Sequence, residues 1–104
     1  MPRAIRTDTA DADLRNVAYQ IGVGSGRPLT AEKIVDEIID CCDHIAELGP
    51  QARLGTRAPE LGRGIRLLSY RRWVIIFRYV DEGVFILRIA DGSQDYLSWK
   101  FGEM

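Results

Sequence analysis

Cysteine and histidine are scarce in this chain of 104 residues, and long apolar runs are missing. No stretch approaches the roughly 20 apolar residues that a bilayer-spanning helix needs, and the N-terminus carries no signal-peptide h-region. The chain is therefore expected to stay in the compartment where it is made, a cytoplasm. The two cysteines, Cys41 and Cys42, are adjacent. Neighbouring helical residues point about 100° apart, which excludes an easy bridge between them. With no third cysteine and no CxxC pair, they read as small buried hydrophobes. The single histidine, His44, has Asp40 one turn before it and Glu47 three residues after it. Further ligands for a metal cannot be named, so an exposed histidine among acids is expected, with no metal and no cofactor.

A glycine-rich phosphate loop is absent too, although GVGSGRP (22–28) invites the thought. Its spacing is GxGxG, it follows a helical pattern rather than a strand, and no Lys-Ser/Thr pair comes after it. It reads as a connection between two helices.

What the chain does have is a pair of strongly apolar arms. RRWVIIFRYV, a turn of DEG, and VFILRIA (72–90) read as a β-hairpin rich in Val, Ile, Phe, Tyr and Trp. A three-residue loop, Asp81-Glu82-Gly83, would pair Val80 with Val84, Arg78 with Ile86 and Arg88 with Ile76. Both arginines then point to one face, because side chains alternate along a strand. Guanidinium groups beside aliphatics are costly unless water or an acidic partner meets them.

The remainder divides by pattern. Residues 3–7 suggest a weak edge strand. Asp8 or Thr9 can cap a helix over 9–21, with Leu14, Val17, Ala18 and Ile21 on one stripe. A second helix is expected over 30–48, capped by Thr30, with Leu29 packing on Ile34 as a hydrophobic staple. Its row Ile34, Ile38, Cys42 and Ile45 should lie on the sheet, and Gly49-Pro50 should end it. Residues 51–63 read as an irregular crossing segment. Strands follow over 64–70, 72–80 and 84–90, then an aromatic tail over 95–101. The order β-α-α-β-β-β predicts a two-layer α+β domain over 1–104: a mostly antiparallel sheet, packed on one face by two helices.

Charge is unevenly placed although the net is −1. Six acids stand against Lys33 between Leu29 and Leu48, whereas seven arginines stand against three acids between Arg57 and Arg88. The two groups either pair with each other as solvated faces or leave a basic surface for an acidic partner.

Three blocks carry a resemblance: AxADL at 10–14, PELGRGIR at 59–66 and WVIIFRYVDEGVFILRIADGSQDY at 73–96. They resemble the ParE/RelE toxin superfamily of bacterial toxin–antitoxin modules, over Ile5 to Tyr96 and in the right order. The resemblance implies a small cytoplasmic toxin held inactive by a cognate, ParD-like antitoxin. The antitoxin-binding candidates are Arg66, Val74, Ile76, Arg78, Ile86 and Arg88, on a sheet face left open by the helices. The target-binding candidates are Tyr70, Arg71, Arg72, Asp95, Tyr96 and Trp99. The ParE branch implies inhibition of DNA gyrase by binding, with no catalytic residues. The RelE branch implies a ribosome-dependent endoribonuclease for messenger RNA, which needs a general base, a proton donor and cations at the phosphate. That branch commonly has Arg where this chain has Val74, and a basic turn where this chain has Asp91-Gly92-Ser93-Gln94-Asp95. Tyr70, Tyr79 and Tyr96 are the side chains left for acid–base work. The PELGRGIR block and the hairpin match the ParE branch better. Even so, of that branch's His-Gly-x-Arg-Asp pattern only Gly92 and Asp95 remain. A nontoxic antitoxin-binding relic is a third reading.

Overall fold

A computed structural model of the chain describes residues 2–102. Strand β1 (Arg3–Arg6) leads into helix α1 (Asp8–Tyr19), which unwinds through a π turn at Gln20–Gly24 before helix α2 (Pro28–Leu48). A short strand β2 (Thr56–Arg57) precedes β3 (Ile65–Tyr70), β4 (Trp73–Val80) and β5 (Gly83–Asp91). The sheet order is β1-β5-β4-β3-β2, antiparallel except that β1 runs parallel to β5. The expected α+β arrangement is thus present, with one strand more than foreseen. The crossing segment is not wholly irregular: it holds β2 and a 3-10 turn at Pro50–Ala52.

Local signals explain most of the helix boundaries. Thr7 caps α1, its hydroxyl accepting from the Ala10 N–H at 3.1 Å. Helix α2 starts two residues before the expected Thr30 cap. Pro28 occupies its first turn, where a missing N–H costs nothing, and Arg27 before it is held out of the helical region. Leu29 is consequently 79% exposed and staples nothing. The row Ile34, Ile38, Cys42 and Ile45 is buried as the pattern predicts. Burial pushes the Cys42 thiol up to about 12, consistent with an inert packing residue. Gly49, at φ 72°, ends α2.

The sheet separates two apolar clusters. On the helix side Trp73, Ile75, Phe77, Val84, Ile86 and Ile89 meet Leu14, Val17 and the α2 row. On the other side Val74, Ile76, Leu87 and Ala90 meet Ala58, Leu61 and Ile65, with Tyr96, Trp99 and Phe101 packed on them. The face expected to stay open is therefore covered by the chain itself. Two bonds hold that cover: the Phe101 N–H donates to the Leu61 carbonyl at 2.6 Å, and Lys100 Nζ to the Glu60 carbonyl at 2.7 Å.

The hairpin register differs from expectation by one residue at its tip. Val80 pairs with Gly83, so Arg78 lies opposite Phe85 rather than Ile86. Gly83 takes φ 143° beside the β1 backbone, which a side chain there would strike. A bulge between Ile76 and Phe77 then adds Leu87 to β5 and restores the expected Ile76–Arg88 pair.

Candidate functional site

The two-residue turn Arg71-Arg72 pairs Tyr70 with Trp73, and this fixes which way each basic residue of β3 and β4 points. Arg66 is opposite Phe77 and so lies on the helix side, not on the face of Arg78. Its guanidinium is consumed by the loop before β2, donating to the carbonyls of Leu54, Arg53 and Gly55 at 2.8, 3.1 and 3.2 Å. Arg88 is satisfied internally as well. It makes a two-point ion pair with Asp13 of α1, at 2.8 and 3.0 Å, and its guanidinium carbon sits 4.1 Å from the centre of the Trp99 ring. Asp13 also accepts the Ile89 N–H at 2.9 Å, on the edge of β5 beyond the end of β1. Val74 and Ile76 are buried under the aromatic tail and Ile86 faces the helices, so none of the three is a surface anchor.

Of the expected cations, Arg66 and Arg78 have no acidic partner among the described residues, and Arg78 alone has guanidinium nitrogens without an acceptor there. Its Nε donates to the Arg63 carbonyl at 2.9 Å, while both Nη atoms are out of water and without an acceptor. Arg78 lines a cavity of about 840 Å³ together with Arg53, Arg57, Arg63 and Arg66, with Pro50, Pro59, Ile65 and Tyr79 among its other walls. Among the described residues no carboxylate lines it. The Tyr79 hydroxyl is likewise buried without a partner, and burial pushes its phenol above the usual value, against the opposing pull of Arg66. Three of these arginines, Arg53, Arg57 and Arg63, come from the crossing segment. The excess of arginine after Arg57 hinted at them, but no spacing rule brings a loop to the end of a distant strand.

The target-facing candidates gather at the other end of β4. Tyr70 donates its hydroxyl to Glu37 at 2.9 Å, and Arg71, at φ 53°, pairs with the same carboxylate at 3.2 Å. Arg72 pairs with Asp91 at 2.7 Å. Asp91 in turn accepts the N–H and hydroxyl of Ser93, which with Arg72 hold its carboxyl below the usual range. A smaller cavity of about 450 Å³ is lined here by Arg71, Arg72, Asp91 and Tyr96. Asp95 starts the turn at Tyr96–Ser98 and Trp99 stacks with Arg88, so both flank this end rather than line it. His44 is exposed on α2, and no group of three or more potential metal ligands occurs among the described residues. No helix there is long and apolar enough to cross a membrane.

Comparison with known proteins places this geometry. A family model for the ParE toxin of the type II toxin–antitoxin system parDE matches residues 4–96. Toxin ParE3 of Caulobacter vibrioides is 32% identical over 95 residues, which span 91% of each chain. A structure of the chromosomal ParDE system from P. aeruginosa matches with a TM-score of 0.63 and 26% identity, over 88% of this chain and 96% of that one. By both the family model and this relative, the chain belongs to the ParE family of toxins from type II toxin–antitoxin systems.

Proposed function

We propose that this toxin inhibits DNA gyrase in the cytoplasm and is kept inactive by a ParD-like antitoxin. It acts by binding, not by turning over a substrate. The observation that supports this most is how the hydroxyls available for acid–base work are dispersed. Tyr70 is bonded to Glu37 at one end of β4, and Tyr79 is buried at the other. Val74, where the RelE branch commonly has Arg, is buried beneath the aromatic tail. Cleaving a phosphodiester requires such groups free and within hydrogen-bond reach of one another through the substrate; Tyr79 stands at the opposite end of β4 from Tyr70 and Tyr96, and Tyr70 is already bonded to Glu37.

On this reading the two ends of β4 divide the work. The turn end, with Arg71, Arg72 and Tyr96, faces the target, and the end near Arg78 meets the antitoxin. The test adds the purified toxin to gyrase and relaxed plasmid. Loss of supercoiling, relieved by the antitoxin encoded beside the toxin, is expected. Unimpaired supercoiling together with cut messenger RNA on ribosomes would replace this reading by the ribonuclease one. Normal growth on inducing the chain alone would point to a relic.

A further inference from the structure

We infer that Glu37 of α2 is the positioning residue for the target contact: its carboxylate holds Arg71 in the strained turn conformation in which that arginine meets gyrase. This rests on the gyrase reading above and deepens it by naming the group that shapes the turn end. Backbone strain is the starting point. Arg71 takes φ 53°, in the left-handed region. The first position of a two-residue hairpin turn demands such a φ, and glycine, asparagine or aspartate usually fills it at little cost. Strands β3 and β4 close through a turn of this length, with Tyr70 across from Trp73. An arginine there carries a Cβ and no short polar group to bond its own backbone, so it is strained.

Glu37 supplies the hold. Nη2 of Arg71 donates to its two carboxylate oxygens at 3.2 and 3.4 Å, and the Tyr70 hydroxyl donates to the same carboxylate at 2.9 Å. Arg71 Nε in turn donates to the Tyr70 hydroxyl at 3.4 Å, with the guanidinium carbon 5.7 Å from the centre of the Tyr70 ring. One carboxylate thus fixes both the end of β3 and the first turn residue. The second turn residue is held from the other flank: Arg72 pairs with Asp91, and its carbonyl accepts the Gly92 N–H at 2.7 Å. A turn clamped on both flanks is already ordered, and a preordered contact loses less freedom on binding. Stability alone does not explain the arginine. Its side chain is 55% exposed, and an ion pair that open is worth less than the strain a glycine would remove. The clamp leaves Arg71 and Arg72 at the surface, beside Tyr96 and the smaller cavity. A strained conformation kept at an exposed tip marks a contact residue.

Inhibition of gyrase supercoiling, titrated with the full chain and its variants, tests the assignment, with thermal melting and antitoxin binding measured on the same proteins. Arg71→Gly should need about 10-fold more protein or above for half-inhibition. Its melting temperature should stay level or rise, since glycine relieves the strain, and its antitoxin affinity should be kept. Glu37→Gln keeps an acceptor for Tyr70 but loses the charge facing Arg71, and should weaken inhibition by a smaller factor. In the Arg71→Gly background the same Glu37 change should do nothing more, because Glu37 acts through Arg71. Arg15→Ala, on the exposed side of α1, should leave inhibition unchanged. Wild-type inhibition by a folded Arg71→Gly variant would overturn the proposal while leaving the gyrase reading standing. Additive losses in the double variant would strip Glu37 of its role. Failure of the unmodified toxin to inhibit gyrase would remove the reading and the contact together.

Discussion

The two ends of strand β4 carry the same residue type in opposite electrostatic states. At the turn end each arginine has found a carboxylate of its own chain: Arg71 meets Glu37 and Arg72 meets Asp91. At the hairpin end Arg57 and Arg78 meet no carboxylate among the described residues, and Arg66 is held by backbone carbonyls instead. The difference lies in reach rather than in charge count. Glu37 sits mid-way along α2, over the β3–β4 turn, whereas the acids later in α2 place no carboxylate in the cavity wall. A basic stretch of sequence therefore says little about which cations are available to a partner. What decides it is which acidic side chains the fold carries to them.

The sharpest way to break this contrast is to delete a paired and an unpaired arginine and compare stabilities. Arg88→Ala should cost about 2 kcal/mol, because it leaves Asp13, only 15% exposed, without its cation and strips the cover from Trp99. Arg78→Ala removes one bond to a carbonyl and orphans no carboxylate, so its cost should be well below that. Urea denaturation of both variants measures the difference, and equal losses would show that Arg78 is stabilised from within after all. Next in size is Gly62→Ala. A Cβ there would lie 2.4 Å from the Phe101 carbonyl oxygen, at φ 152°, and should cost about 1–2 kcal/mol by prising the tail off the sheet. A shift in Trp99 fluorescence toward that of exposed tryptophan would report it.

Both helices, the last three strands and the role of the α2 stripe were legible in the residues, because apolar periodicity is a local signal. The closing turn of the hairpin was half legible. Gly83 marked it, but whether glycine serves as the third loop residue or the first strand residue depends on β1, which lies against its backbone. The error there was cancelled at Arg88 by a bulge that no pattern announced. The site was less legible than the fold. Arg66, Arg78 and Arg88 are equivalent in sequence, and only the tertiary partners, three carbonyls for the first and Asp13 for the last, separate them. The covering of the second face was also hidden. An aromatic tail can pack or protrude, and the choice rests on its bonds to Glu60 and Leu61, some 40 residues earlier in the chain.

A smaller effect sharpens the contrast from the cavity side. Arg57→Glu places a carboxylate opposite Arg66 and should raise stability by about 0.5 kcal/mol, since like charges directly across a ladder repel and opposite ones attract. The same variant should lose antitoxin affinity. A gain in the denaturation midpoint accompanied by a loss in binding would mark a site kept electrostatically unsatisfied for a partner. A loss in both would mark Arg57 as an ordinary structural residue.

The smallest effect concerns pH and belongs to the turn end alone. The Asp91 carboxyl is held below its ordinary value of 3.8, first by the Ser93 N–H, then by the Ser93 hydroxyl and Arg72. A carboxyl that is more acidic folded than unfolded stabilises the fold fully above its unfolded value. That contribution disappears as the pH falls below about 4 and through the folded value. Because Arg72 is largely exposed, the amount at stake is under about 1 kcal/mol. Arg57 and Arg78 contribute nothing to this window, since arginine stays charged throughout it and neither has a carboxylate partner among the described residues. Stability profiles between pH 2 and 6 should therefore flatten slightly in Asp91→Asn and keep their shape in Arg57→Ala. If the arginine-cavity variant also altered the acid limb, a titrating group would have to be paired with Arg57, and the two ends of β4 would no longer differ in kind.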